Sequence, residues 1–114
     1  MTRRLTPAEA TRAYAKGKGK QPESLILAAV RDYLRQFGWL VVRLQQGMGA
    51  HKGVADLYAL RNGRSVWCEI KTPTGRQSAH QREFERQIKA HGGEYHVLRC
   101  VEDAIAMSGE ECLL

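Results

Sequence analysis

Ile26, Val30, Tyr33 and Phe37 recur at helical spacing, with Leu25 and Ala29 beside them, and predict a helix over residues 22–37 that Gly38 stops. Carried back three residues, the stripe reaches Glu23, which puts a carboxylate at the N-terminal end of the packing face. The pattern then shortens toward alternation. Residues 39–44 read as a first strand, and residues 45–53 as a loop with three glycines and a basic end. Residues 56–60 and 65–71 read as two strands hinged on Asn62-Gly63, a dipeptide favoured where φ must be positive. After a loop over residues 72–76, Ser78 opens a second helix. Its stripe of Gln81, Phe84, Ile88 and His91 is expected to face inward, leaving Arg82, Glu83, Glu85, Arg86 and Lys89 to solvent before Gly92-Gly93 ends it. Residues 94–99 alternate as a last strand, and residues 101–107 form a short helix. The order α-β-β-β-α-β-α predicts an α/β fold with a mixed sheet flanked by helices.

Strand alternation places Glu69 and Lys71 on one face of the hairpin and Val66, Cys68 and Ile70 on the other. Asp56 opens the neighbouring strand, so antiparallel pairing should bring the three charges together at one end. Phosphodiester hydrolysis needs a nucleophilic water, neutralised phosphoryl charge and a stabilised leaving oxygen, and a hard cation held by carboxylates serves all three. Asp56 and Glu69 are the expected ligands, with the Ile70 carbonyl as a third oxygen. Lys71 would orient the attacking water or offset transition-state charge, and Glu23 would reach the metal through water or help hold a second ion.

Plainer readings stand beside these. An E-x-K pair on an exposed strand is ordinarily two solvated charges, and Glu23 could simply complement the helix dipole. Ser78-x-x-Gln81 is a capping box, so Gln81 either caps the helix or serves the site near Lys71. Arg43, Lys52 and Arg76 are candidates for phosphate contacts or ordinary surface charges. His51, His80, His91 and His96 lack metal-ligand spacing, and Trp39, Trp67 and Tyr58 fit core or sheet positions better than base-stacking platforms.

A length of 114 residues suits one small domain. The net charge is +6, and residues 1–20 carry six cations against Glu9, which is 6 − 1 = +5 of it. This arm, with a helix start at Thr6-Pro7-Ala8-Glu9 and a linker bearing Lys16, Lys18 and Lys20, suits nucleic acid or an anionic membrane surface, or acts as a solubilising tail. The expected organisation is an arm over residues 1–20, a domain over 21–108 and a tail over 109–114. Cys68, Cys100 and Cys112 form no C-x-x-C pair, which argues against a disulfide framework or zinc site. No signal peptide or membrane-spanning run is evident, so a reduced cytoplasmic protein is expected.

Asp56 with Glu69-Ile70-Lys71 resembles the motif of the PD-(D/E)XK nuclease superfamily, and more narrowly the virus-type replication-repair nuclease (VRR-Nuc) domain. That domain also terminates the Fanconi-associated nucleases and occurs as small stand-alone proteins. The resemblance covers roughly residues 22–105 and includes Glu23, the glycine loop running into Lys52-Gly53, Ser78-x-x-Gln81-x-x-Phe84 and Gly92-Gly93. Ala55 stands where the family usually has proline, and Phe84 where relatives often have tryptophan. The resemblance implies a restriction-endonuclease-like core, dependence on Mg²⁺ or Mn²⁺, cleavage of structured or branched DNA, and a supporting role for Gln81 in catalysis. One metal centre per protomer cuts one strand, so paired cuts at a four-way junction, a DNA-repair substrate, would need a homodimer. The alternatives are a non-catalytic DNA-binding protein with a nuclease-like fold, and a junction resolvase or restriction-like enzyme with related motifs. No base-reading helix is evident, which disfavours a sequence-specific cutter.

Overall fold

The computed structural model describes residues 22–109. The arm, where a short helix is expected, with Lys16, Lys18 and Lys20, together with Cys112 and the tail beyond Gly109, lies outside the described residues. Helix α1 (Glu23–Gln36) begins after Pro22 and buries Ile26, Val30, Tyr33 and Leu34. Leu25, expected beside the buried stripe, is instead 47% exposed. Gly38, at φ 89°, turns the chain sharply enough for the Trp39 N–H to donate to Leu34 O at 3.0 Å.

Strands β1 (Leu40–Arg43), β2 (Leu57–Arg61) and β3 (Arg64–Ile70) follow, the last two joined through Asn62 at φ 51° and Gly63 at φ 83°. Helix α2 (Ala79–Ala90) leads to β4 (Glu94–Leu98), and α3 (Val101–Ser108) completes the described chain. Strands β2 and β3 keep their expected lengths but lie one residue nearer the turn, so Asp56 immediately precedes β2 and Lys71 immediately follows β3, while Glu69 stays in the ladder opposite Val97.

The sheet order is β1-β2-β3-β4, antiparallel for the first two pairings and parallel between β3 and β4. A parallel pair needs a crossover, which is the work of α2. One face of the sheet buries Val41, Leu57, Ala59, Val66, Cys68, Ile70 and Leu98 together with residues of α1 and α3. On the other face α2 packs Phe84 near Ala55, Trp67 and Tyr95. Phe84 is the only fully buried residue of α2; Gln81 and Ile88 are half-buried and His91 is exposed, so the inward stripe stops before His91. The reason is local: His91 sits at the C-cap, where Gly92 (φ 80°) swings the chain away toward β4. No helix among the described residues is long and apolar enough to cross a membrane.

Arg99 fixes the loop after Lys71. Its guanidinium donates to Thr72 O at 2.6 Å and Gly75 O at 2.7 Å, while its own N–H donates to Asp103 Oδ2 at 2.8 Å. The parallel register that pairs Ile70 with Leu98 brings Arg99 beside this loop. Arg99→Ala strands those carbonyls and is expected to cost about 1–3 kcal/mol. Urea denaturation should show it as a lower midpoint at unchanged slope.

Candidate active site

Asp56, Glu69, Lys71 and Gln81 meet at the end of the hairpin, with Glu23 arriving from α1. Register explains the meeting. Leu57 pairs with Cys68, which places Asp56 next to Glu69 and Ile70. Asp56 Oδ2 accepts from the Ile70 N–H at 2.8 Å, and Oδ1 accepts from Arg43 Nη1 at 3.1 Å. Because a strand residue's N–H and C=O point to the same side, the Ile70 carbonyl faces the Asp56 side as well.

Glu69 is 1% exposed, on the face that α2 covers. Its Oε2 accepts from Gln81 Nε2 at 2.7 Å and lies 3.7 Å from Lys71 Nζ. Its Oε1 is buried with no hydrogen-bond partner among the described residues. Burial foremost, then the neighbouring Asp56 charge, pushes the Glu69 carboxyl up to about 8, against the opposing pull of Lys71. A carboxylate held this way calls for a proton or a cation at its open oxygen.

Lys71 is nearly buried, its Nζ 3.7 Å from Glu69 Oε2 and 3.9 Å from Glu23 Oε1. Glu23 thus stands across Lys71. Among the described residues, no three His, Cys, Asp or Glu side chains converge as a metal cage. A cation at this site would rest on the Asp56 and Glu69 carboxylates and the Ile70 carbonyl, all hard oxygen donors, and Glu23 would reach it through water. The orphaned Glu69 oxygen fits that role.

Both readings of Gln81 hold together. Its Oε1 accepts from the Ser78 N–H at 2.8 Å while Ser78 Oγ accepts from the Gln81 N–H at 3.2 Å, and Nε2 remains for Glu69. The plainer reading of Glu69 and Lys71 as solvated charges is excluded by their burial.

Arg43 has a partner inside the protein. Its guanidinium bonds both the backbone and the side chain of Asp56, so its first partner is the carboxylate cluster rather than a ligand phosphate. Lys52 and Arg76 are exposed and, among the described lysines and arginines, are the two with no ion pair or hydrogen bond. His51 lies edge-on to Phe84 and His96 meets Glu94. Trp39 is core, and Trp67 packs edge-on against Tyr58.

No family model and no curated protein matches the sequence. Among solved structures, the chain superposes on one described as a VRR_NUC domain with a TM-score of 0.67, covering 78% of this chain and 96% of that one at 18% identity. The fold is that of a VRR_NUC domain. Its α/β sandwich, a four-stranded mixed sheet flanked by helices, is the restriction-endonuclease-like architecture expected from the residue pattern. At that identity the VRR_NUC fold is carried by packing and register rather than by sequence likeness.

A glutamate held above its ordinary range destabilises the metal-free fold as pH rises. The unfolded chain gives up the proton near pH 4.5 and the folded chain near 8, so stability is full below the first and declines toward the second. Glu69→Gln keeps the acceptor for Gln81 and removes the charge. The metal-free variant is expected to gain about 1–2 kcal/mol at pH 8, after allowance for solvent relaxation, with a flatter profile of thermal midpoint against pH between 5 and 8.

Proposed function

We propose that the protein is a metal-dependent DNA endonuclease that hydrolyses phosphodiester bonds in structured or branched DNA. The observation that carries this reading is the buried Glu69 with an open oxygen, gripped by Gln81 and Lys71 beside Asp56. The printed description of the superposed structure as a VRR_NUC domain supports it. Mg²⁺ or Mn²⁺, when bound, would supply positive charge for the phosphoryl oxygens and acidity for a water.

The chain's own residues do the rest. Asp56 is held on both oxygens, by the Ile70 N–H and Arg43, which fixes its direction. Gln81 sets the plane of the Glu69 carboxyl and thereby the orientation of its open oxygen. Lys71 stands between Glu69 and Glu23, where its ammonium can orient the attacking water and offset the charge that gathers in the transition state. Lys52 precedes Asp56 and Arg76 follows Lys71, so both loops that frame the cluster present an uncommitted cation to the sugar–phosphate backbone. Lys16, Lys18 and Lys20 would add sequence-independent affinity from the arm.

Four-way junctions are the substrate that a homodimer would cut in pairs, in the cytoplasm and in the service of DNA repair. Leu40 and Val42, 61% and 42% exposed on edge strand β1, offer apolar surface consistent with association.

Lys71→Ala and Asp56→Asn are each expected to lower Mg²⁺- or Mn²⁺-dependent cleavage of branched DNA by at least about 10²-fold while retaining fold and DNA binding. Undiminished cleavage by purified Lys71→Ala would refute the mechanism. A non-catalytic DNA binder would instead show no Mn²⁺ uptake dependent on Asp56 and Glu69 in calorimetry. Deleting residues 1–20 should weaken DNA binding and flatten its dependence on salt; an unchanged slope would exclude the arm from the interface. Sedimentation equilibrium reads the oligomer directly, and a monomer at micromolar concentration would defeat the paired-cut model.

A further inference from the structure

A hollow of about 310 Å³ lies between the glycine loop and the first turn of α2, and one of its walls is Gln81, whose Nε2 donates to Glu69. Its walls include Gln46, His51, Lys52, Ser78, His80 and Gln81. The geometry points to this hollow as a subsite for one nucleotide of the DNA strand, the one adjoining the phosphodiester at the carboxylate cluster. The assignment deepens the nuclease reading and rests on it.

Three observations carry it. The first is that the walls are built rather than incidental. A Cβ on Gly53 would fall 2.1 Å from His80 O, so the loop backbone is pressed onto the helix where only glycine fits. The base of the loop is tied by Gln46, whose Nε2 lies 3.2 Å from Ala55 O, with Leu44 O and Val54 O next nearest.

The second is charge. No carboxylate lines the hollow, and Lys52 is a cation with no ion pair or hydrogen bond among the described residues. An anion is therefore the fitting guest. The capping box already uses the Gln81 N–H and the Ser78 N–H, so the attraction comes from side chains rather than from the helix end.

The third is size and ring content. The volume exceeds what a bare phosphate needs and falls at the small end of cavities that take organic ligands, at roughly 300 Å³. His51, steadied edge-on against Phe84 at 5.5 Å, and His80 supply planar rings suited to a nucleobase. A phosphate on Lys52 with its base among the histidines fits these walls, and Gln81, which lines the hollow and also holds Glu69, links it to the carboxylate cluster.

The test uses the full-length, metal-free protein titrated with thymidine 5′-monophosphate, thymidine and inorganic phosphate, followed by amide NMR. The monophosphate is expected to shift the Gly47, Lys52, Gly53 and His80 amides and to bind at least about fivefold tighter than either fragment. Lys52→Ala and His80→Ala should each loosen it about five- to tenfold at an unchanged thermal midpoint. Shifts confined to other regions, or full affinity in both variants, would overturn the assignment. Equal affinity for inorganic phosphate would overturn the nucleotide part by reducing the hollow to an anion contact. Cleavage is not read in this titration, so the two readings fail separately. Pocket binding without any metal-dependent DNA cleavage sinks the nuclease and keeps the subsite; cleavage without pocket binding does the reverse.

Discussion

The structure depends on one unfavourable placement: a glutamate inside the sheet. β3 pairs with β2 on one side and β4 on the other, and α2 covers the face on which Glu69 projects, so its carboxyl cannot reach bulk water. A charge in that position is tolerated only when its surroundings compensate for lost hydration. Gln81 and Lys71 answer one oxygen, and among the described residues no hydrogen-bond donor answers the other. The fold thus holds in reserve an electrostatic demand that a proton or a cation can satisfy.

That demand is linked to helix formation through Gln81. The oxygen of its side-chain amide closes the capping box at the start of α2, and the nitrogen of the same amide holds Glu69. The helix cannot shift its first turn without moving the carboxylate, and the carboxylate cannot turn without straining the cap. Arg99 applies a similar constraint from the other side by gripping the loop that follows Lys71. Preorganisation here comes from backbone-anchored contacts, which hold position better than long side chains meeting in solvent.

Much of this was legible in the residue order because the deciding signals are local. Alternation and Asn62-Gly63 predict the hairpin, and the hairpin alone brings Asp56 to Glu69 and Lys71. The α1 stripe carries Glu23 to the same end. What escaped depends on contacts between distant segments. Arg99 reaches its loop only through the parallel register of β3 and β4, for which spacing along the chain has no signature. The bond from Arg43 to Asp56 needs β1 beside β2 in a particular register, and the hollow beside Gln81 needs Gly53 pressed against His80. A glycine directly after Lys52 and shortly before Asp56 was the available hint. The α2 stripe failed at His91 for a related reason: periodicity continues past the point where the chain turns away from the sheet.

The distribution of charge sharpens the functional reading further. Arg64 pairs with Glu94, whose carboxyl is drawn down to about 2 first by that arginine and then by His96. Arg86 and Lys89 pair along α2, while Arg35 and Arg99 are spent on backbone carbonyls. Such cations are neutralised where they stand and contribute little to a field beyond the surface. Lys52 and Arg76 differ in having no internal partner among the described residues, and they occupy the loops entering Asp56 and leaving Lys71. Pairing elsewhere and exposure here focus the attraction for a polyanion on the rim of the carboxylate cluster. The cluster itself repels phosphate until its charge is balanced. Under the nuclease proposal, binding of a phosphodiester backbone by the rim would therefore be coupled to neutralisation of Asp56 and Glu69.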